Sequence, residues 1–565
     1  MSKCTLSCSM ADEKDSSHQF DDIIKTVCEF GRWQKFIYFT TCALVIVPSG
    51  IHIAGMYFIT GTPKFHCVTP NTTCLENKCC DNCTEYAFDG PFISTATEWN
   101  LICDRAHVGA NVQAGYAAGM LVGSFVFGAI SDVFGRRFCM LLCSVLATLF
   151  SLGASLVDCL SFFTFLRFGT SASITGFFVC HYVYILELVG PSYRTMGAKV
   201  MDFYWVTGAS IMALLAYLIR DWRTLLLVAS FPPALFLLLW MVLPESARWL
   251  LVRGEVEKAH DVLKTYADKS GVTVDSDSLR GSLTKCYQGE AEVETHKIRH
   301  TPLDLLRTPR MRKRTLVLWF NWVVVSLVYF GFLLYISNLA GSPYLNLFLM
   351  YLTDIPVQVF LSWFLMKKFG RRLSHCGIMI CCGLSCLLVL TLSEDQAVGR
   401  TVLAFIGRTL DTASFSNIYL YTNELYPTSI RNLAVGACST NSRLGTIAAP
   451  YIVMLSQLPG VSVTLPMVIF GVLTVAAGLM TLWLPETLLA PMHQTIEEME
   501  LEKEYYGLIW MEKPYPSSIP CFKSNSSDWD GVPMEDKTST KSGDNESDNG
   551  SIILKQSSEI FPNET

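Results

Sequence analysis

Asp202, Asp354, Arg408, Asp411 and Arg443 are ionisable residues inside stretches that are otherwise apolar. In hydrocarbon each costs about 2.5–3.5 kcal/mol on insertion scales, which makes such residues candidate sites for an ion or a substrate. Arg443, in STNSRLG (Ser439 to Gly445), is the sharpest of them. A guanidinium in a low-dielectric cavity can hold a carboxylate through two parallel hydrogen bonds. Paired internally with Asp202 or Asp411, the same arginine would be purely structural. Arg408 and Asp411 stand three residues apart, a spacing at which they can pair and neutralise each other on one helix. Left unpaired, Asp411 would instead attract cations. Four aromatic residues in these stretches, Trp205, Trp322, Tyr419 and Tyr421, offer a second chemistry. Their faces attract quaternary ammonium groups, by up to about 2 kcal/mol when desolvated. Together the two sets suit a ligand bearing both charges. There is no nucleotide-cradling glycine loop and no His/Asp/Glu metal spacing, and the Cys381-Cys382 pair lies within an apolar stretch. No catalytic residue, metal or cofactor is expected, so the chain does not read as an enzyme.

Composition dictates what must position these residues. The chain has 565 residues, 51% hydrophobic and only 16% charged, with a mean hydropathy of +0.35. Soluble domains carry about a quarter charged residues, so the composition points to an all-α membrane protein. A bilayer core of about 30 Å needs roughly 20 apolar residues per helix. Twelve such stretches are legible. The first six are Lys35 to Ile59, His107 to Ile130, Phe138 to Val157, Phe162 to Leu186, Gly197 to Ile219 and Thr224 to Leu243. The second six are Thr315 to Ser337, Pro343 to Met366, Leu373 to Leu392, Val398 to Tyr421, Leu433 to Leu455 and Val461 to Leu484. Lys and Arg concentrate in alternate short loops, which predicts that both termini are cytoplasmic. The net charge of -6 gives no sign of nucleic-acid binding.

The segments outside the spans support this layout. The loop 61–106 holds Cys67, Cys74, Cys79, Cys80, Cys83 and Cys103, with N-glycosylation sequons at Asn71 and Asn82. Clustered cysteines beside sequons fit an oxidising, extracellular face and three disulfides, whose pairing the sequence leaves open. The expected organisation is a cytoplasmic N-terminus (1–34), a first six-helix half (35–243), a charge-rich cytoplasmic central loop (244–314), a second half (315–487) and a mostly disordered cytoplasmic tail (488–565).

The two halves repeat. GAISDVFGRR (Gly128 to Arg137) is echoed by KKFGRR (Lys367 to Arg372), and ELVGPSYR (Glu187 to Arg194) by ELYPTSIR (Glu424 to Arg431). Pro244-Glu245-Ser246 is echoed by Pro485-Glu486-Thr487. The offsets are 235 (Arg137 to Arg372), 237 (Glu187 to Glu424) and 241 (Pro244 to Pro485). Matched spacing in order is the signature of an internal duplication. The repeated charges, Asp132, Arg136, Arg137, Glu187, Arg194, Glu245, Arg371, Arg372, Glu424, Arg431 and Glu486, all fall at one membrane surface. Acids and arginines placed there can pair across neighbouring helices when that side is shut and separate when the halves rock apart.

These motifs carry a resemblance. GAISDVFGRR resembles the loop motif of the major facilitator superfamily. TATEWNLICD (Thr95 to Asp104), IRDWR (Ile219 to Arg223), PESARWL (Pro244 to Leu250) and ELYPTSIRN (Glu424 to Asn432) resemble its organic cation, carnitine and organic anion transporter family. The resemblance implies alternating-access transport of small organic ions across the plasma membrane. The carnitine-type members have arginine at the Arg443 position, where cation-only members have aspartate. They are often aromatic at Trp205, Trp322, Tyr419 and Tyr421, and the family has a basic residue at Arg408. Asp411 departs from the family, which is usually apolar there. Ser49 replaces the Asn of sodium-coupled members, which argues against sodium; a proton is the alternative, and the resemblance leaves the coupling ion open. The resemblance therefore implies carnitine or a related zwitterion as substrate. A cation transporter using Asp202 or Asp411, an organic anion exchanger and a non-transporting sensor remain alternatives.

Overall fold

A computed structural model of the chain describes residues 20–69, 77–80, 83–296, 301–357, 362–393, 396–488, 490, 493, 496–501 and 506. The sequons at Asn71 and Asn82, Cys74 and the tail beyond 506 lie outside the described residues.

Helical segments match all twelve expected spans in order. The first half comprises α1 (Arg32–Thr60), α2 (Ala106–Phe134), α3 (Arg136–Leu156), α4 (Leu160–Leu188), α5 (Arg194–Leu218) and α6 (Trp222–Ala234). The second comprises α7 (Pro309–Leu334), α8 (Pro343–Leu352), α9 (Arg371–Leu388), α10 (Ala397–Leu425), α11 (Arg431–Met454) and α12 (Leu465–Thr481). Eight of the described helices are long and apolar enough by themselves to cross a bilayer. Those below that mark have physical reasons. The α10 and α11 segments carry Arg400, Arg408, Asp411, Glu424, Arg431 and Arg443, and α12 has 17 residues. The eighth span is broken: α8 stops at Leu352, and Asp354–Pro356 and Ser362–Phe369 continue its path.

Small residues let the helices approach, as lipid supplies no hydrophobic force between them. A side chain on Gly208 of α5 would strike the Val47 carbonyl of α1, and one on Gly50 would strike the Trp205 carbonyl. This close crossing fixes the face that α5 turns inward.

One end of the bundle is capped by the loop after α1. Its strands β1 (Phe65–Thr69) and β2 (Glu85–Phe88) form an antiparallel hairpin. Disulfides join Cys67 to Cys83 and Cys79 to Cys103, and Cys80 is disulfide-bonded too. The opposite end carries the repeated charges. There residues Phe20–Val27 of the N-terminal segment fold into an amphipathic helix. The central loop likewise forms helices Ala247–Val252, Val256–Ser270 and Ser276–His296.

The apolar core explains how the halves meet. At the hairpin end one cluster contains residues of both, with Phe58 stacked on Tyr344 at 5.2 Å. At the charged end each half has its own cluster, one around Phe177 and Phe236, the other around Leu318 and Tyr426.

Candidate substrate site and gates

The charged motifs fold into two matching networks, each confined to its own half. In the first, the Arg136 guanidinium donates to Asp132 at 2.7 Å and to Glu187 at 3.0 Å. Glu245 accepts the main-chain N–H groups of Arg136 (2.9 Å) and Arg137 (3.2 Å), capping the start of α3. Burial pushes the Glu245 carboxyl up, against the pull of those three main-chain donors, Ser246 included. In the second half, Arg371 donates to Glu424 at 3.0 Å, and Glu486 accepts the N–H of Arg371 (2.7 Å) and Arg372 (3.2 Å) at the start of α9. The repeated FGRR explains its glycine: Gly135 has φ +99° and Gly370 φ +83°, a region costly for other residues. Arg194 grips Asp21 of the N-terminal helix at 2.6 Å, whereas Arg431 donates to Thr428 at 3.4 Å. No ion pair joins the two halves among the described residues. Truncating Glu245 or Glu486 to Ala should therefore cost what a lost helix cap costs, about 0.5–2 kcal/mol. A fall in the melting temperature of the detergent-purified chain, absent from Asp132→Ala, would register it.

Polar ties between the halves gather at the hairpin end. Gln457 donates to the Thr62 hydroxyl (3.3 Å), the Cys79 N–H to the Gln457 carbonyl (3.1 Å), and Tyr451 to Asn111 (2.8 Å). Tyr344 donates to the Pro91 carbonyl (3.1 Å). The stapled loop of the first half thus reaches over the second.

Between the halves, at mid-depth, the sequence-predicted residues converge in part. Lys199, Asp202 and Trp205 repeat at three-residue spacing along one side of α5. Lys199 pairs with Asp202 at 3.6 Å and donates across the gap to Ser416 of α10 at 3.3 Å. The Trp205 side chain reaches the Tyr329 hydroxyl of α7, and Tyr182 of α4 faces both Tyr419 and Asp202. From the second half, Tyr419 meets Trp322 edge-on at 4.4 Å, with Phe415 5.7 Å from Tyr419 and 5.7 Å from Tyr329. Tyr419 is 37% exposed, so part of the residue stays open despite these neighbours. Arg443 lies halfway along α11, half-buried beside Tyr419. Its guanidinium has no hydrogen bond or ion pair among the described residues, so neither Asp202 nor Asp411 neutralises it. A side chain at Gly445, two residues on, would strike the Val323 carbonyl, so α7 passes close and holds this stretch of α11 in place.

Other expected residues are held elsewhere. Trp322 is buried and donates to the Thr422 hydroxyl at 3.1 Å, which makes it the backing of Tyr419. Tyr421 is buried and donates to the Pro485 carbonyl at 2.7 Å, so it belongs to the charged-end network. Of the two readings open for Arg408 and Asp411, the pairing is not made. Arg408 instead reaches Asp354 of the broken eighth span at 3.4 Å, touches Thr412 and stacks over Tyr329 at 4.0 Å. Thr412 donates to Asp354 at 2.9 Å, while both Asp411 oxygens are buried without a hydrogen-bond partner. Three residues escaped the sequence reading. Tyr329 and Phe415 carry no signal in a chain that is 12% aromatic. Arg167, fully buried over Tyr116 at 4.5 Å, was detectable as a charge within an apolar run. Ser49 spends its hydroxyl on the Val45 carbonyl (2.7 Å), and His181 bonds Thr41 (3.0 Å).

Comparison with known proteins bears on these features. Residues 52–500 match the family described as "Sugar (and other) transporter". The "Organic cation transporter protein" of Drosophila melanogaster is 32% identical, covering 85% of this chain and 94% of its own. The human "Organic cation/carnitine transporter 2" is 30% identical over the same shares. Among solved structures, an inward-open xylose transporter from E. coli superposes with a TM-score of 0.59 at 17% identity, covering 83% of this chain and 99% of that one.

Proposed function

The chain belongs to the Sugar (and other) transporter family, among the organic cation and carnitine transporters of the major facilitator superfamily, and from that premise we propose that it carries carnitine-like zwitterions. As a multi-pass membrane transporter it performs no covalent chemistry. The observation that carries the substrate reading is the unneutralised Arg443 guanidinium beside the partly exposed Tyr419. The arginine would take the carboxylate. The quaternary ammonium would rest on Tyr419, backed by Trp322, with Trp205 and the half-exposed Asp202 on the opposing half.

Alternating access follows from how the halves touch. With the hairpin end tied and the charged end divided into two cores, the site faces the charged end. Disulfides favour an extracellular hairpin end, and the Lys/Arg-rich loops favour a cytoplasmic charged end with both termini inside. On this reading the protein sits in the plasma membrane in an inward-facing state. The half-exposed Asp202 carboxylate on the opposing half also favours a second reading, transport of cations that lack a carboxylate.

Tyr419 separates aromatic binding from mere packing. Tyr419→Phe should keep carnitine uptake, because the ring face is retained. Tyr419→Ala should raise KM about tenfold or more, the cost of a desolvated cation–π contact of about 2 kcal/mol. Equal KM in both variants would refute this wall of the site.

A further inference from the structure

Asp411 is a buried acid that the proposed substrate site does not use and that has no partner among the described residues. Both its oxygens are buried without a hydrogen-bond partner, and the residue is 0% exposed. Its surroundings count the charge. Arg408 lies one turn earlier on α10, and Asp354 with Tyr351 come from the broken eighth span. Tyr329 comes from α7 and Cys382 from α9. Arg443 of α11 sits beside Tyr419 instead, and Asp202 of the opposing half acts on Asp354. One guanidinium thus serves two carboxyls, and Asp354 holds it at both nitrogens with Thr412 as a further donor. With both acids ionised the pocket would carry a net negative charge in a medium that does not tolerate one. With Asp411 protonated, it is neutral.

We propose that Asp411 is a proton-carrying site: its carboxyl is held as the neutral acid while Arg408 is committed to Asp354, and it releases that proton when Arg408 turns to it. The exchange is a plain proton transfer: as Arg408 leaves it, Asp354 takes up a proton from water, and Asp411 goes from carboxylic acid to carboxylate and gives its proton to water, so one acid of the pair stays protonated and the pocket stays neutral. Arg408, three residues away on the same helix, can serve either acid in turn. Arg408 also stacks on Tyr329, whose hydroxyl meets Trp205 of the other half. Relative movement of the halves therefore acts on the group that decides whether Asp411 is charged. The coupling to flux rests on the transport reading above, whereas the protonation itself does not.

The primary test reads the full-length purified chain without any substrate. Infrared difference spectra at neutral pH should show the carbonyl stretch of a protonated carboxyl that disappears in Asp411→Asn and persists in Asp202→Asn. Identical spectra in wild type and Asp411→Asn would overturn the assignment. Asn is isosteric with the protonated acid, so the variant should fold and melt as the wild type does. In proteoliposomes an imposed pH gradient should change uptake of labelled carnitine several-fold in the wild type and leave Asp411→Asn unresponsive. A gradient response that survives in Asp411→Asn, or is missing from the wild type, would refute the coupling. A failed carnitine assignment would leave the infrared result standing.

Discussion

Arg443→Ala is expected to abolish measurable carnitine uptake while the protein still folds and reaches the membrane. The argument has two sides. A bidentate guanidinium–carboxylate contact with a desolvated ligand is worth about 3 kcal/mol or more, which exceeds a hundredfold in kcat/KM. On the folding side the loss is small, because the guanidinium has no partner among the described residues for the truncation to strand. Arg443→Lys should recover a fraction of the activity, since lysine keeps the charge but not the planar fork. Uptake normalised to surface protein checks all three chains. Undiminished carnitine transport by the alanine variant would make Arg443 structural.

The second large effect concerns stability. The double variant Asp354→Asn, Asp411→Asn should lose about 3–5 kcal/mol, because it strands a buried guanidinium that cannot give up its proton. Asp411→Asn alone should cost less than about 1 kcal/mol, as it replaces a group that makes no hydrogen bond. Asp354→Asn alone should fall between the two, for Asp411 can then ionise and take over Arg408. Denaturant unfolding of the detergent-purified chains measures the series. Equal losses in the single Asp354 variant and the double variant would show that Asp411 offers Arg408 nothing.

How much of this was legible in the residues depended on whether a feature is local. The spans were, because an apolar run long enough for a bilayer has few other uses. Their ends matched the structure within a few residues at α1 and α4 and less well at α6, where the helix tightens after Ala234 into a 3-10 turn (Leu235–Leu239). The duplicated motifs were legible too, and the structure adds why Gly135 and Gly370 recur: each sits at positive φ. Pairing across the fold was not. Arg408 lies 54 residues from Asp354 but three from Asp411, so the spacing offered only the nearer acid as a partner, beside the reading in which Asp411 stays unpaired. The interruption of the eighth span around Thr353 has a local signal, since Pro356 has no N–H to offer the Leu352 carbonyl, but nothing local pairs Asp354 with Arg408. Disulfide pairings were equally out of reach, as spacing alone cannot select among fifteen. Trp322 and Tyr421 look like Tyr419 in the sequence. Only their hydrogen bonds to Thr422 and Pro485 reveal that they are already occupied.

The central claim is that a cavity between the halves binds both charges of a zwitterion, the carboxylate at Arg443 and the ammonium at the Tyr419 wall. Uptake of labelled carnitine beside labelled tetraethylammonium, in cells expressing the wild-type chain, tests it most directly. The account predicts that carnitine enters and that excess unlabelled carnitine suppresses its uptake. Entry of tetraethylammonium with no carnitine uptake would contradict it, and would move the site from Arg443 to Asp202.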